Sequence, residues 1–203
     1  LRWIRKTFKW PSFNAAKRQR KSTFRPSAES LEDRVVPANF MVTNTSDAAI
    51  APAGSLRAAI NNVLASNDTW NTITFAGDLS GNIELVQRLP TINKSVGIFQ
   101  APGVGRVNVT RALGVGNFRI FTFELVPHAG ARVVLSGFSI SNGRAVGVDD
   151  GAALFISENT RQHAPQGYWL NLEQVYFTNN ISTNSGGAVH AIGTNRDTDI
   201  ITV

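Results

Sequence analysis

The chain has 203 residues, a formal net charge of +6, 42% hydrophobic residues and 17% charged residues. That length suits one domain with a tail, and the apolar share is enough for a real core. Cysteine is absent, which excludes a disulfide framework, a thiolate zinc site and a cysteine nucleophile. There is no run of about 18 consecutive apolar residues, so no transmembrane segment is expected here.

The charge is concentrated at one end. Residues 1–37 hold ten Lys/Arg against three Asp/Glu, a net of +7, while residues 38–203 hold ten against eleven, a net of −1. A near-neutral body argues against nucleic acid as its partner, because phosphate contacts need a concentrated basic face. Over residues 1–25 basic and aromatic residues alternate irregularly, with Pro11 and Pro26 as breaks and no helical or strand period. It reads as a flexible, disordered basic tail over 1–38. Lys17, Arg18, Arg20 and Lys21 would suit a nucleic-acid arm, and Trp3, Ile4, Phe8 and Trp10 would suit a membrane-surface anchor. An export signal is the third reading, although the leader has no apolar stretch of the usual ~7–15 residues. A solvated tail with no specific role is the fourth. Ser30-Leu31-Glu32-Asp33-Arg34-Val35-Val36-Pro37-Ala38 resembles the Leu-Glu-x-Arg motif near the start of many large exported bacterial proteins, where it precedes a β-rich body.

After Pro37 the texture changes. Phe40–Thr43 reads as a strand and Asn44–Asp47 as a turn cluster. Leu56, Ala59, Ile60, Val63 and Leu64 form one apolar stripe at helical spacing, predicting a helix over 55–66 capped by Ser55 or Gly54 and closed at Asn67-Asp68. Short β-branched or aromatic runs follow, punctuated by Gly, Asn, Pro and Asp: 72–75, 83–86, 96–99, 107–110, 118–125, 133–135, 138–140, 152–156, 169–172, 175–177, 188–192 and 200–203. This pattern allows a sandwich, a closed barrel or a parallel β-helix.

An internal repeat discriminates. Gly151-Ala152-Ala153-Leu154 aligns with Gly186-Gly187-Ala188-Val189, and Ile140-Ser141-Asn142-Gly143 aligns with Phe177-Thr178-Asn179-Asn180. The period of roughly 35–37 residues is expected to hold about two short rungs of a solenoid, with Asn stacked at a tight corner and Gly-Ala where coils approach closely. Thr43-x-Thr45-x-Asp47, Gly54-Ser55-Leu56-Arg57-Ala58-Ala59-Ile60 and Ile73-Thr74-Phe75 resemble the opening of bacterial right-handed parallel β-helix proteins of the pectin-lyase-like fold. Leu135–Gly143 resembles one of their rungs, and Phe177-x-x-Asn180 with Gly186-Gly187-Ala188-Val189 resembles the repeat of polymorphic outer-membrane proteins. The resemblance implies an all-β, right-handed parallel β-helix over 39–203, with the Ser-Leu-Arg helix capping its N-terminal end. It also implies secretion or a cell-surface, outer-membrane-associated location.

No active site stands out. His128, His163 and His190 lack metal-ligand spacing and read as loop or packing residues. Asp149-Asp150 before Gly151, and Asp197 with Asp199, read as turns, since calcium wants ~6–8 oxygen ligands. Glu84, Glu124, Glu158 and Glu173 are not paired by any motif, and the spacing of Arg88, Arg106, Arg111, Arg119 and Arg132 singles out no base. Gly103-Val104-Gly105 precedes a strand and reads as a turn. Trp70, Tyr168 and Trp169 could stack on sugars but read first as core or rim packing. The expectation is therefore no catalytic, cofactor-binding or metal residue and no cofactor. The expected role is a non-catalytic exported or cell-surface module, structural or adhesive, with polysaccharide or other surface proteins as partners. A polysaccharide lyase or glycoside hydrolase acting on an acidic polysaccharide is the alternative. The bare apolar strand Ile200–Val203 adds an expectation of a domain incomplete at its C-terminus, or of self-association through that edge.

Overall fold

A computed structural model describes residues 38–48, 50–101, 105–126, 131–147, 150–158, 168–192 and 200–202. The leader up to Pro37, His128, His163, Asp149, Asp197 and Asp199 lie outside the described residues.

The first element is strand β1 (Ala38–Val42), followed by the helix α1 (Leu56–Ala65). The strands after it are β2 (Asn71–Phe75), β3 (Gly81–Leu85), β4 (Val96–Gln100), β5 (Val107–Arg111), β6 (Phe121–Leu125) and β7 (Arg132–Ser136). Then come β8 (Ser139–Ser141), β9 (Arg144–Ala145), β10 (Leu154–Glu158), β11 (Trp169–Glu173), β12 (Tyr176–Thr178), β13 (Ile181–Ser182), β14 (Val189–Ile192) and β15 (Ile200–Thr202). Every ladder among the described residues is parallel. The sheets run in the order β1-β2-β4-β7-β11-β15, β3-β5-β8-β12, β6-β10-β14 and β9-β13. The chain winds as a β-solenoid of about four turns, as the sequence pattern predicts.

The repeat is the ladder register itself. Ile140 pairs with Phe177 and Leu154 with Val189, the alignment that the sequence suggests. The expected content of the period is corrected, however. One period is a single complete coil, not two rungs: β7, β8, β9 and β10 fill one coil before β11 pairs back onto β7. The coils that start at β7 and β11 carry four strands each and the coil that starts at β4 carries three, and the residues allotted to a second rung go to these flanks and the corners between them. The strands β9 and β13 escape the sequence reading because two residues show no alternation; they exist as the flank that follows a fixed corner.

Alternation of side chains explains the core. In β2 the residues Asn71, Ile73 and Phe75 point inward, and in β11 Leu170 and Leu172 do. Phe138, just before β8, lies with its ring centroid 5.4 Å from that of Phe75 in β2 and 6.3 Å from that of Phe121 in β6, both edge-on, which links two sheets inside the coil. Helix α1 is capped by the Ser55 side chain, which accepts from the Ala58 amide. It ends at Ala65, with Ser66 as C-cap, slightly earlier than the expected Asn67-Asp68. Leu56, Ile60 and Val63 are fully buried, and the helix packs against β1 and β2 at the N-terminal end of the core.

Candidate functional site

The most distinctive sequence motif turns out to hold the scaffold. Arg57 donates to both carboxylate oxygens of Asp47, at 2.6 and 2.9 Å, and to the carbonyls of Gln87 and Arg88 at 2.9 and 2.8 Å. Asp47 also accepts from the Val86 amide at 3.0 Å. Both side chains are nearly sealed from solvent. The pair thus ties the helix to the turn before it and to the chain leaving β3, where backbone groups have no preceding coil to pair with. Gly54 has φ of +76°, and a Cβ there would stand 2.2 Å from the Thr43 hydroxyl. These contacts account for Thr43, Asp47, Gly54, Ser55 and Arg57 without any substrate.

The asparagines form the corner expected of them. Asn142 and Asn179 have φ of 58° and 53°, and the Asn179 amide donates to Asn142 Oδ1 at 2.6 Å. Asn142 in turn donates to the Thr110 hydroxyl at 2.9 Å, so the ladder crosses three coils. Asn180 accepts from the Gly143 amide and donates to the Ile140 carbonyl.

The candidate chemical groups are spread over different faces. Glu84 is exposed on the sheet of β3, Glu124 on that of β6 and Glu173 on that of β11. Arg111 donates to the carbonyls of Asn142, Ala112 and Val115 and braces a corner. Arg88 is exposed in the segment after β3. The remaining three arginines each stack on an aromatic ring: Arg106 on Tyr176 at 3.7 Å, Arg119 on Phe155 at 4.4 Å and Arg132 on Trp70 at 4.1 Å. Asp150 accepts from the Ser185 amide at 2.7 Å, fastening one loop to the next coil. His190 packs on Phe155, with Nδ1 3.7 Å from Asp150 Oδ2. Among the described residues no three His, Asp or Glu come together as a metal-ligating group. No helix there is long and apolar enough to cross a membrane.

Two surface features remain. A cleft of about 440 Å³ lies beyond the helix, lined by Ser66, Asn67, Asp68, Thr69, Asn93, Lys94, Ser95 and Val126. Its charged groups are engaged, Lys94 donating to the Ser66 carbonyl and Asp68 accepting from the Ala38 amide. The second is the outer face of the six-stranded sheet. Arg132 and Trp169 are direct ladder partners there, and Trp70 precedes β2 in the same column of the register. A Cβ on Gly97 would collide with the Phe99 and Trp70 rings, so this glycine is what lets both rings lie over the sheet. Of the three aromatics read as core or rim packing, Tyr168 is fully buried, whereas Trp169 is 55% exposed. The repeat held the signal: the step that aligns Ile140 with Phe177 also puts Trp169 beside Arg132.

No protein-family model, curated protein or solved structure matches the chain.

Proposed function

We propose that the chain is a non-catalytic exported or cell-surface β-helix module with an adhesive or structural role, its outer faces making the contacts. One observation carries this reading. The residues with the strongest sequence signature, Asp47, Arg57, Asn142 and Asn179, are all bound to the chain itself, while stacked arginine–aromatic pairs occupy the outside of the coil. Rigid faces of repeated strands offer extended binding surfaces without any moving part. Pectin-lyase-likeness and outer-membrane association belong to the same proposal and rest on the motifs given above. The test is to incubate the full chain and Ca²⁺ with pectate and alginate, and to follow its accessibility to external protease in its native cells. The expected result is protease shaving from intact cells without release of unsaturated or reducing ends.

A second reading, a carbohydrate-active enzyme, draws on the approach of His190 to Asp150 beside Phe155. Turnover abolished by His190→Gln or Asp150→Asn would decide in its favour.

A further inference from the structure

We infer that the flank following the four-stranded sheet lies against a membrane surface rich in anionic lipid. This inference rests on the cell-surface reading above and names the side of the coil that meets the surface.

The flank is the chain that follows β3, β5, β8 and β12, at residues 86–88, 112–117, 144–147 and 181–184. Those four strands are neighbours in one sheet, so the segments stack coil on coil. Hydrogen bonds hold the stack in register. The Ala112 amide donates to the Leu85 carbonyl, Arg111 donates to the Asn142 carbonyl, and Arg144 and Ala145 pair with Ile181 and Ser182.

Three observations meet here. The first is a row of aliphatic side chains. Of the nine large apolar residues exposed among the described residues, Val86, Leu113, Val146 and Ile181 fall on this flank, one in each coil. Leu113 is 88% exposed. Alternation fixes the outward direction, because Leu85 and Ala145, just before Val86 and Val146, are fully buried. Ile50, also exposed, extends the row toward the N-terminal end, since it follows Asp47, whose carboxylate accepts from the Val86 amide. Single exposed aliphatics are ordinary on a surface, whereas a row of them stacked coil on coil marks a contact. The second is the charge. Arg88 and Arg144 are exposed in the same segments, and the four segments contain no Asp or Glu. The third is a braced corner. Arg111 donates to the carbonyls of Ala112, Val115 and Asn142, so the backbone that presents the row is held from within.

A bilayer interface accepts this combination. Aliphatic tips enter at the acyl boundary, while long arginine stems lie along them and place guanidinium groups on headgroup phosphates. The row spans three coil steps, about 14 Å, at a width of one side chain. A protein partner is usually gripped by aromatic anchors at the centre of a broad contact. The four segments contain no Phe, Trp or Tyr. In sequence the leader carries the same chemistry, with Trp3, Phe8 and Trp10 among its cations.

The chain has no cysteine, so one introduced thiol carries one reporter. Full chains with Leu113→Cys or with Glu173→Cys, the latter on the six-stranded sheet, are labelled with an environment-sensitive dye. They are titrated with vesicles of phosphatidylcholine alone or of phosphatidylcholine mixed equally with phosphatidylglycerol. The expected result is a blue shift at position 113 on the anionic vesicles and none at position 173. Arg88→Glu with Arg144→Glu is expected to weaken co-sedimentation with these vesicles about tenfold or more, and so is Val146→Asp with Ile181→Asp. Circular dichroism checks that the variants are folded; where one is not, the two dye positions decide. No shift at position 113, an equal shift at both positions, or an equal shift on phosphatidylcholine alone overturns the inference. A shift that grows with protein concentration and needs no vesicles identifies a second copy of the chain as the occupant and overturns it too. Protease shaving of cells tests the underlying reading by itself, so shaving without the shift at position 113 leaves that reading standing and removes this one.

Discussion

At the residue scale, Asp47 and Arg57 show how one ion pair can end a solenoid. Each partner is buried and each also binds backbone, so removing one strands the other with unmet hydrogen bonds. Breaking a buried pair of this kind costs about 3–5 kcal/mol. Asp47→Ala and Arg57→Ala are each expected to lower the free energy of unfolding in urea by about that amount, and the double variant by less than the sum. Gly143 makes a different demand. A Cβ there would stand 2.0 Å from the Ala152 carbonyl oxygen, which is backbone and cannot swing aside. Gly143→Ala is expected to cost about 1–3 kcal/mol through forced displacement of the coil, read by the shift of the urea midpoint.

At the scale of elements, the corner after β8 is shared between backbone strain and side-chain bonding. Asn142 occupies left-handed φ and both accepts from Asn179 and donates to Thr110. An ordinary L-residue adopts that conformation at a cost of about 1–2 kcal/mol, and glycine at almost none. Asn142→Ala therefore loses both the conformation and the ladder, while Asn142→Gly loses the ladder alone. Thermal unfolding is expected to rank wild type above Asn142→Gly and Asn142→Gly above Asn142→Ala. Equal melting points for the two variants would show that backbone conformation is not what the asparagine supplies.

At the scale of the whole molecule, stability is a sum over neighbouring coils. Phe138 belongs to this sum although it lies just before β8, because its ring packs edge-on against those of Phe75 of β2 and Phe121 of β6. Phe138→Ala is expected to cost about 3–5 kcal/mol. The helix contributes differently. Ile60 is fully buried under α1 where the first strands begin. Ile60→Asp would lift the helix and leave the edge of β1 and the end of the core bare, a template for pairing with another chain. Light scattering is expected to show stronger concentration-dependent association for this variant than for the wild type.

The parallel β-helix was legible in the sequence because its repeat is a pairing register. Ile140 and Phe177 lie one coil apart and stack inward, so similar residues recur at that step. The helix was legible from its apolar stripe and Ser55, and the asparagine corner from a residue type that tolerates left-handed backbone. The number of strands per coil was not legible. Two-residue strands such as β9 and β13 carry no period, and only closure of the coil defines them. Nor was the use of Arg57, whose partners come from two separate stretches of chain. The aromatic face was decided by tertiary structure for the same reason. Trp70, Arg132 and Trp169 are far apart in the chain, and neighbouring residues differ completely in fate, Tyr168 buried and Trp169 outside. Local sequence sets which residues alternate; the winding of the coil sets which of them share a surface.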